Sequence, residues 1–316
     1  DGKMDLIIGA LGYSTNTGRT YIFYGKGSSA STAANSADVI ITGETSSAFG
    51  IAVATGDFNA DGRIDLVVDA SDYTTATGRV YIFYNDGSIP TTAATADVII
   101  TGEATNNNFG TSLAGGDLNA DGKVDLVVGA YGYSTNTGRT YIFYNDGSIP
   151  TTAATADVII TGEATNNYFG KALATGDFNA DSKADVSVGA YGYSSSFGRT
   201  YIFYNDGSIP TTAATADVFI TGASLLSFGD KVTAGDLNAD GRTDLAIAAT
   251  AAGGSAGKVY IFYNDGSIPT TAATADVTIS GGVASNELLG TSLVTGDFNG
   301  DGKIDLVAGA YGHTTN

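Results

Sequence analysis

Apolar residues along this chain come in short runs, not at helical spacing. "DLVVGA" (Asp125 to Ala130), "GRTYIFY" (Gly138 to Tyr144) and "ADVIITG" (Ala156 to Gly162) are dominated by Val, Ile, Tyr, Phe and Thr, with Gly, Asn, Asp and Pro between them. That pattern predicts strands joined by turns. A further strand is predicted over "FGTSLAGGD" (Phe109 to Asp117), which is rich in small residues. No window repeats apolar residues at helical spacing between caps, so no helix of any length is predicted. In "YIFY" and "LVV" the bulky residues are consecutive and must occupy both faces of a strand. A sheet with one solvated face would alternate instead.

These strands recur. A segment of the form D-x-N-x-D-G-x-x-D starts at Asp57, Asp117, Asp177, Asp236 and Asp297, with successive gaps of 60, 60, 59 and 61 residues. The block "YIFYNDGSIPTTAATADV" returns letter for letter from Tyr81, Tyr141, Tyr201 and Tyr260. Each period therefore holds four short strands. A small sheet that is apolar on both faces needs burial between two copies of itself, as in the blades of a β-propeller, whose repeats commonly run ~40–50 residues. The first strand, with its small residues, suits the crowded position near the axis. A stacked β-solenoid is the alternative, although 60 residues is long for one coil. The expected fold is all-β: a β-propeller or tandem array of four-stranded blades forming one repeat domain over 1–316. The repeats fall near 1–48 (partial), 49–108, 109–168, 169–227, 228–288 and 289–316 (partial). Both chain ends fall inside a repeat, which suggests a piece of a longer product. Ring closure through a split blade, a longer array, and completion by neighbouring chains all stay open. Head-to-tail completion would propagate into a filament.

Composition narrows the function. The 316 residues carry a formal net charge of −19 and 43% hydrophobic residues, enough for a core. So acidic a chain argues against nucleic acid or an anionic membrane as partner. No apolar run is long enough to insert in a membrane as a helix. Cysteine is absent, which excludes disulfides and thiolate chemistry.

The acidic segments are the candidate chemistry. Oxygen donors stand at positions 1, 3, 5 and 9, with a backbone carbonyl expected at position 7 and glycine at 6 for the turn, much as in the first nine positions of a calcium loop. The candidate ligands are Asp57, Asn59, Asp61, Arg63 and Asp65; Asp117, Asn119, Asp121, Lys123 and Asp125; Asp177, Asn179, Asp181, Lys183 and Asp185; Asp236, Asn238, Asp240, Arg242 and Asp244; and Asp297, Asn299, Asp301, Lys303 and Asp305. Arg and Lys would act through their carbonyls. Nitrogen and sulfur donors are absent, which disfavours zinc and copper, and magnesium seldom uses such a cage. About five Ca²⁺ ions are expected, one per complete loop. The loops hold 15 of the 33 acidic residues, and five divalent ions would bring the net charge to −9. Without a cation, two carboxylates ~5 Å apart repel by on the order of 3 kcal/mol at an effective dielectric of ~20. Ser182 replaces the glycine in one loop, and the Asp1–Asp5 copy lacks positions 1 and 3.

Phe109-Gly110, the acidic loop and Gly129-Ala130-Tyr131 together resemble the FG-GAP repeat of integrin α-subunit propellers. "FG" stands at Phe49, Phe109, Phe169 and Phe228 and becomes "LG" at Leu289; "GA" plus an aromatic stands at Gly129, Gly189 and Gly309 but is "DAS" at Asp69 and "AAT" at Ala248. The resemblance implies an extracellular, secreted or cell-surface propeller that binds calcium in these loops and serves adhesion or ligand recognition. Catalytic residues are scarce. His313 is the one histidine, and Glu44, Glu103, Glu163 and Glu287 are the only glutamates. Carboxylates that recur with the repeat suggest structural work, so no catalytic site is expected. The leading reading is a non-catalytic adhesive or structural protein that assembles with itself or binds an extracellular protein or glycan. A lectin-like role through Tyr131, Tyr133, Tyr191 and Tyr193 is the alternative, with packing of these rings between blades as its competitor; a hydrolase ranks below both. The Thr- and Ala-rich loop "GSIPTTAATAD" (Gly147 to Asp157) suits either O-glycosylation or a plain exposed loop.

Overall fold

A computed structural model describes residues 5–25, 33–223, 227–282 and 287–312. Their strands form six antiparallel sheets in chain order, each a simple meander. Sheet I holds Leu6–Ala10, Arg19–Phe23 and Val39–Thr42. Sheet II holds Val53–Gly56, Asp65–Ala70, Arg79–Phe83 and Val98–Thr101, and sheet III holds Ser112–Gly116, Asp125–Ala130, Arg139–Phe143 and Val158–Thr161. Sheet IV holds Ala172–Gly176, Asp185–Ala190, Arg199–Phe203 and Val218–Thr221; sheet V holds Phe228–Gly235, Asp244–Ala249, Lys258–Phe262 and Val277–Ser280. Sheet VI holds Leu289–Gly296 and Asp305–Ala310. The first strands of sheets II to VI lie side by side in chain order, so the small-residue strand is the inner one.

Consecutive bulky residues do fill both faces. In sheet II, Tyr81, Ile82 and Phe83 are all fully buried. Leu66, Val68, Tyr81 and Phe83 pack on Ile22 and Ile41 of sheet I. Val67, Ile82 and Ile100, on the opposite face, pack on Leu126, Val128, Tyr141 and Phe143 of sheet III. The same two-sided packing recurs at the later seams. The Phe of each "FG" braces its own sheet: the Phe109 ring meets Tyr141 at 5.4 Å and Phe143 at 6.4 Å, both edge-on. The paired glycines meet across the seam. At the seam between sheets III and IV a Cβ on Gly129 would lie 2.0 Å from the carbonyl oxygen of Gly170, so that corner closes without side chains, whereas Asp69 and Ala248 keep theirs at the equivalent corners.

Two further contacts tie neighbours at the rim. Arg139 of sheet III lies 3.6 Å over the Tyr133 ring and pairs with Glu103, which follows the last strand of sheet II, at 2.9 Å. Arg79 with Tyr73 and Glu44, and Arg199 with Tyr193 and Glu163, repeat this clasp. The loop "GSIPTTAATAD" is exposed at Gly147, Ser148, Thr151, Ala154 and Thr155 and tied down elsewhere. It reaches back to the preceding sheet, where the Thr101 amide donates to the Thr151 carbonyl at 3.0 Å, and Ile149 and Ala153 are buried. The open edge of each such outer strand is thereby covered. The loops between second and third strands contain four-residue turns of the wrong hand for an α-helix: Ser134, Thr135 and Asn136 have φ of +48°, +58° and +60°. Such residues cost about 1–2 kcal/mol each. Amides from the following loop hold them, as when Asn108 donates to the Ala76 carbonyl at 2.8 Å.

Asp69, in the glycine position of "GA", is fully buried. Its carboxylate accepts from the Ala52 amide at 2.7 Å and the Ser71 amide at 3.1 Å. Burial outweighs those bonds and pushes its pKa up to about 7. A carboxyl raised above its unfolded value stabilises the fold at low pH, and that contribution fades as pH rises through the folded pKa. Wild type is therefore expected to lose stability relative to Asp69→Gly as pH goes from about 5 to about 8, in paired urea titrations; parallel curves would contradict it. Phe143→Ala, which empties a fully buried site in the seam between sheets II and III, is expected to lower the unfolding free energy by about 3–5 kcal/mol in the same assay.

Candidate metal site

Each acidic segment bends the chain from the inner strand into the second strand. In sheet II, the amides of Asp61 and Gly62 donate to Asp57 Oδ1 and Oδ2 at 3.0 and 2.8 Å. The Asp61 amide also donates to Asn59 Oδ1 at 3.0 Å, and the Arg63 amide donates to Asp61 Oδ1 at 2.9 Å. Sheets III, IV, V and VI reproduce all four bonds. Position 6 needs a left-handed backbone: Gly122 has φ +85°, with open space where a Cβ would stand. The demand is conformational, not steric, and Ser182 meets it at φ +69°.

Position 9 behaves differently from positions 1, 3 and 5. Asp125 is fully buried at the base of its loop. Its Oδ2 accepts from the Leu118 amide and its Oδ1 from the Asn145 amide, both at 2.8 Å. Asp65, Asp185 and Asp244 make the equivalent pairs of bonds. This aspartate thus sews the acidic loop to the turn after the third strand. The position-7 side chain reinforces the seam: Lys123 Nζ donates to the Asn145 carbonyl at 2.9 Å, and Arg63, Lys183 and Arg242 make the same bond in their sheets. That second role of the basic residue was not visible in the motif.

Burial raises the Asp125 and Asp185 pKa values to about 6, against the pull of their amide partners, and the neighbouring loop aspartates add to the rise. Asp65 and Asp244 are raised for the same first cause. In sheets III and IV one ammonium, Lys123 or Lys183, lies 3.9 Å from the position-5 carboxylate, Asp121 or Asp181, against three aspartates per loop. Among the described residues no three carboxylate or imidazole side chains close a metal cage by themselves. The loop amides instead hold the donors in place, and a carboxylate oxygen engaged by one amide keeps a second lone pair. An all-oxygen donor set of this kind fits a hard divalent cation.

The other candidate groups are placed elsewhere. Tyr133 and Tyr193 each have one ring face covered by an arginine, and Tyr168 stacks on Tyr191 at 4.7 Å and lies 6.0 Å from Tyr131. These rings join sheets III and IV. The recurrent Asp97, Asp157, Asp217 and Asp276 each accept one amide, from Tyr84, Tyr144, Tyr204 and Tyr263, at 2.8 Å. His313 lies outside the described residues.

Known proteins share the repeat. The FG-GAP repeat model matches residues 109–143, 169–203, 228–262 and 289–316, and the FG-GAP-like repeat model matches 1–68. The chain is 32% identical over 199 residues to integrin alpha-PS2 of Drosophila melanogaster, covering 58% of this chain and 14% of that protein. It is 33% identical over 172 residues to phosphatidylinositol-glycan-specific phospholipase D of Rattus norvegicus, covering 49% of this chain and 20% of that protein. The chain thus spans a fifth or less of these two relatives. Among solved structures, the V. cholerae biofilm matrix protein Bap1 aligns over 86% of this chain and 36% of its own, at 15% identity and a TM-score of 0.38.

The loop geometry carries its own test. Gly122→Ala must force a side chain into the left-handed region and is expected to cost about 1–2 kcal/mol in urea denaturation, although nothing crowds the site. A neutral result would mean that the turn is not held as described. With the repeat models matching more than half of the residues, and with the acidic loop set between the inner and second strands of sheets II to VI, the chain belongs to the FG-GAP repeat family.

Proposed function

We propose that this chain is an extracellular calcium-binding repeat protein with a non-catalytic, adhesive or structural role. The observation that carries the reading is the acidic loop, built five times with the same four amide-to-carboxylate bonds. Asp57, Asn59, Asp61 and the Arg63 carbonyl, with Asp65 at the base, would hold the ion in sheet II, and the matching residues would do so in the other sheets. Bound calcium supplies positive charge to three carboxylates that otherwise repel. The protein's part is to fix the donors through its amides and to hold the loop against the next turn.

A repeated carboxylate set supports structural work, because an active site would have to stand out from the repeat. The sugar-binding alternative is weakened by the tyrosines, each of which has one ring face engaged by arginine or by another tyrosine. If each loop sees ten times its dissociation constant, binding stabilises the fold by about 1.4 kcal/mol per site, or about 7 kcal/mol for five independent sites. Thermal melts in calcium are expected to show a higher midpoint than melts in chelator, with magnesium giving the smaller shift. Identical midpoints in calcium and chelator would sink the proposal.

A further inference from the structure

One asparagine is bonded to two acidic loops at once. Asn264, in the turn after the third strand of sheet V, is fully buried. Its amide donates to Asp244 Oδ1 at 2.8 Å, and its carbonyl accepts from the Arg242 guanidinium at 3.2 Å. Its main chain thereby grips positions 9 and 7 of its own loop. Its side chain crosses the seam: Nδ2 donates to the carbonyl oxygen of Phe178, 86 residues earlier, at 3.1 Å. Phe178 is position 2 of the loop in sheet IV, between the candidate donors Asp177 and Asn179. The Phe178 amide in turn donates to Asp185, at position 9, at 2.8 Å.

The repeat also shows this asparagine in a second arrangement. Asn145 and Asn205 grip positions 7 and 9 of their own loops through the same main-chain bonds. They are only 5% and 6% exposed, yet neither Nδ2 has a hydrogen-bond partner among the described residues. Asn145 lies beside the preceding loop, lining one cavity with Phe58, Asn59 and Ala60 of sheet II. A buried amide without a partner is costly, and the position-2 carbonyl is the acceptor that Asn264 uses. Within one chain the contact therefore stands both closed and open.

We propose that this asparagine couples the acidic loops in series, so that calcium in one loop raises the calcium affinity of the loop in the next sheet. The coupling rests on the calcium reading above. Fixing Asp177 and Asn179 fixes the carbonyl between them, which favours the closed contact. The closed contact holds Asn264, and through its main chain Asp244 and Arg242 of the next loop. Two ligands that favour the same arrangement favour each other, by the same factor in either direction. One neutral hydrogen bond gained in this way corresponds to about two- to tenfold in affinity.

Calcium titration of the isotope-labelled full chain, followed by NMR, reads the two loops separately. The reporters are the position-6 amides of Ser182 and Gly241, which donate to Asp177 and Asp236. Asp181→Asn, which weakens the loop of sheet IV, is expected to raise the calcium midpoint at Gly241 by about two- to tenfold. Asp240→Asn is expected to raise the midpoint at Ser182 by the same factor. Losing an ion together with one carboxylate makes the neighbourhood more negative, which by itself would strengthen the other loop, so a weakened loop reports the contact. Asn264→Ala keeps the main-chain bonds to Asp244 and Arg242 and removes the bridge to Phe178. In that background neither loop is expected to weaken when the other is lost. Midpoints that ignore the neighbouring loop, or a weakening that survives Asn264→Ala, would overturn the coupling and leave the calcium reading standing. If neither amide moves in calcium, the calcium reading fails and the coupling with it. Should Asn264→Ala not fold, the reciprocal pair of aspartate variants still decides.

Discussion

A four-stranded sheet with bulky apolar side chains on both faces is stable only between two neighbours. Each fully buried Phe, Ile or Leu contributes about 1.5–3 kcal/mol relative to exposure, and in this chain such residues are split between two seams. A single repeat could bury only half of them. The array is therefore the folding unit, and the seam is the contact on which other features depend. It also explains the two glycines of the repeat: with the sheets packed on the side chains of the third strand, the corners at Gly129 and Gly170 come so close that a methyl group has no room.

Features at the rim are secondary to this packing. The Tyr–Arg–Glu clasp is present where sheets I and II, II and III, and III and IV meet. At the seam between IV and V the corresponding residues are Ala252, Lys258 and Ala223, which cannot form it. The sheets still pack there, through Phe178, Ile202 and Ile220 against Leu245, Ile247 and Phe262. Magnitudes make this reasonable. A partly exposed ion pair contributes about 0–1 kcal/mol, less than one well-buried aromatic side chain. The backbone bond from Thr101 to Thr151 is worth little more in energy, but it closes a sheet edge that would otherwise pair with another strand.

The strands, their two-sided burial and the small-residue inner strand were legible because each is a property of a few adjacent residues. Partners one repeat away were not. Glu103 meets Arg139 across 36 residues, and Thr101 meets the loop of the next sheet; neither spacing belongs to any local pattern. The loop from Gly147 to Asp157 was legible only in part for that reason: Thr151, Ala154 and Thr155 are exposed as its composition suggests, while its bond to the preceding sheet was not visible. The left-handed turns at Ser134 and Thr135 were also hidden, since neither residue favours that conformation and the contact that enforces it comes from elsewhere. In the acidic loop, the oxygen spacing was visible, but the burial of Asp125 and its bond to the following turn were not.

Differences between the copies separate packing constraints from others. From Tyr81 and its counterparts onward the third strand and the loop after it are identical in four copies; there Tyr, Ile and Phe each face a seam and the loop meets an edge. The residue after "FG" is free of those demands and varies as Ile51, Thr111, Lys171, Asp230 and Thr291. There the chain builds one-off contacts: Lys171 Nζ lies 4.4 Å from the Tyr131 ring centroid, and Thr250 donates to Asp230 at 2.9 Å. The acidic loop fits neither class. Position 8 drifts through Ile64, Val124, Ala184, Thr243 and Ile304, so the loop tolerates change. Asp61 and its counterparts at position 5 are solvent-facing or half-buried and are not fixed by packing, yet positions 1, 3 and 5 never vary. A polar turn alone would accept Ser or Asn at several of them. Invariant carboxylates at positions 1 and 5, which packing does not require, set against a net charge of −19, are what the cation proposed above would account for.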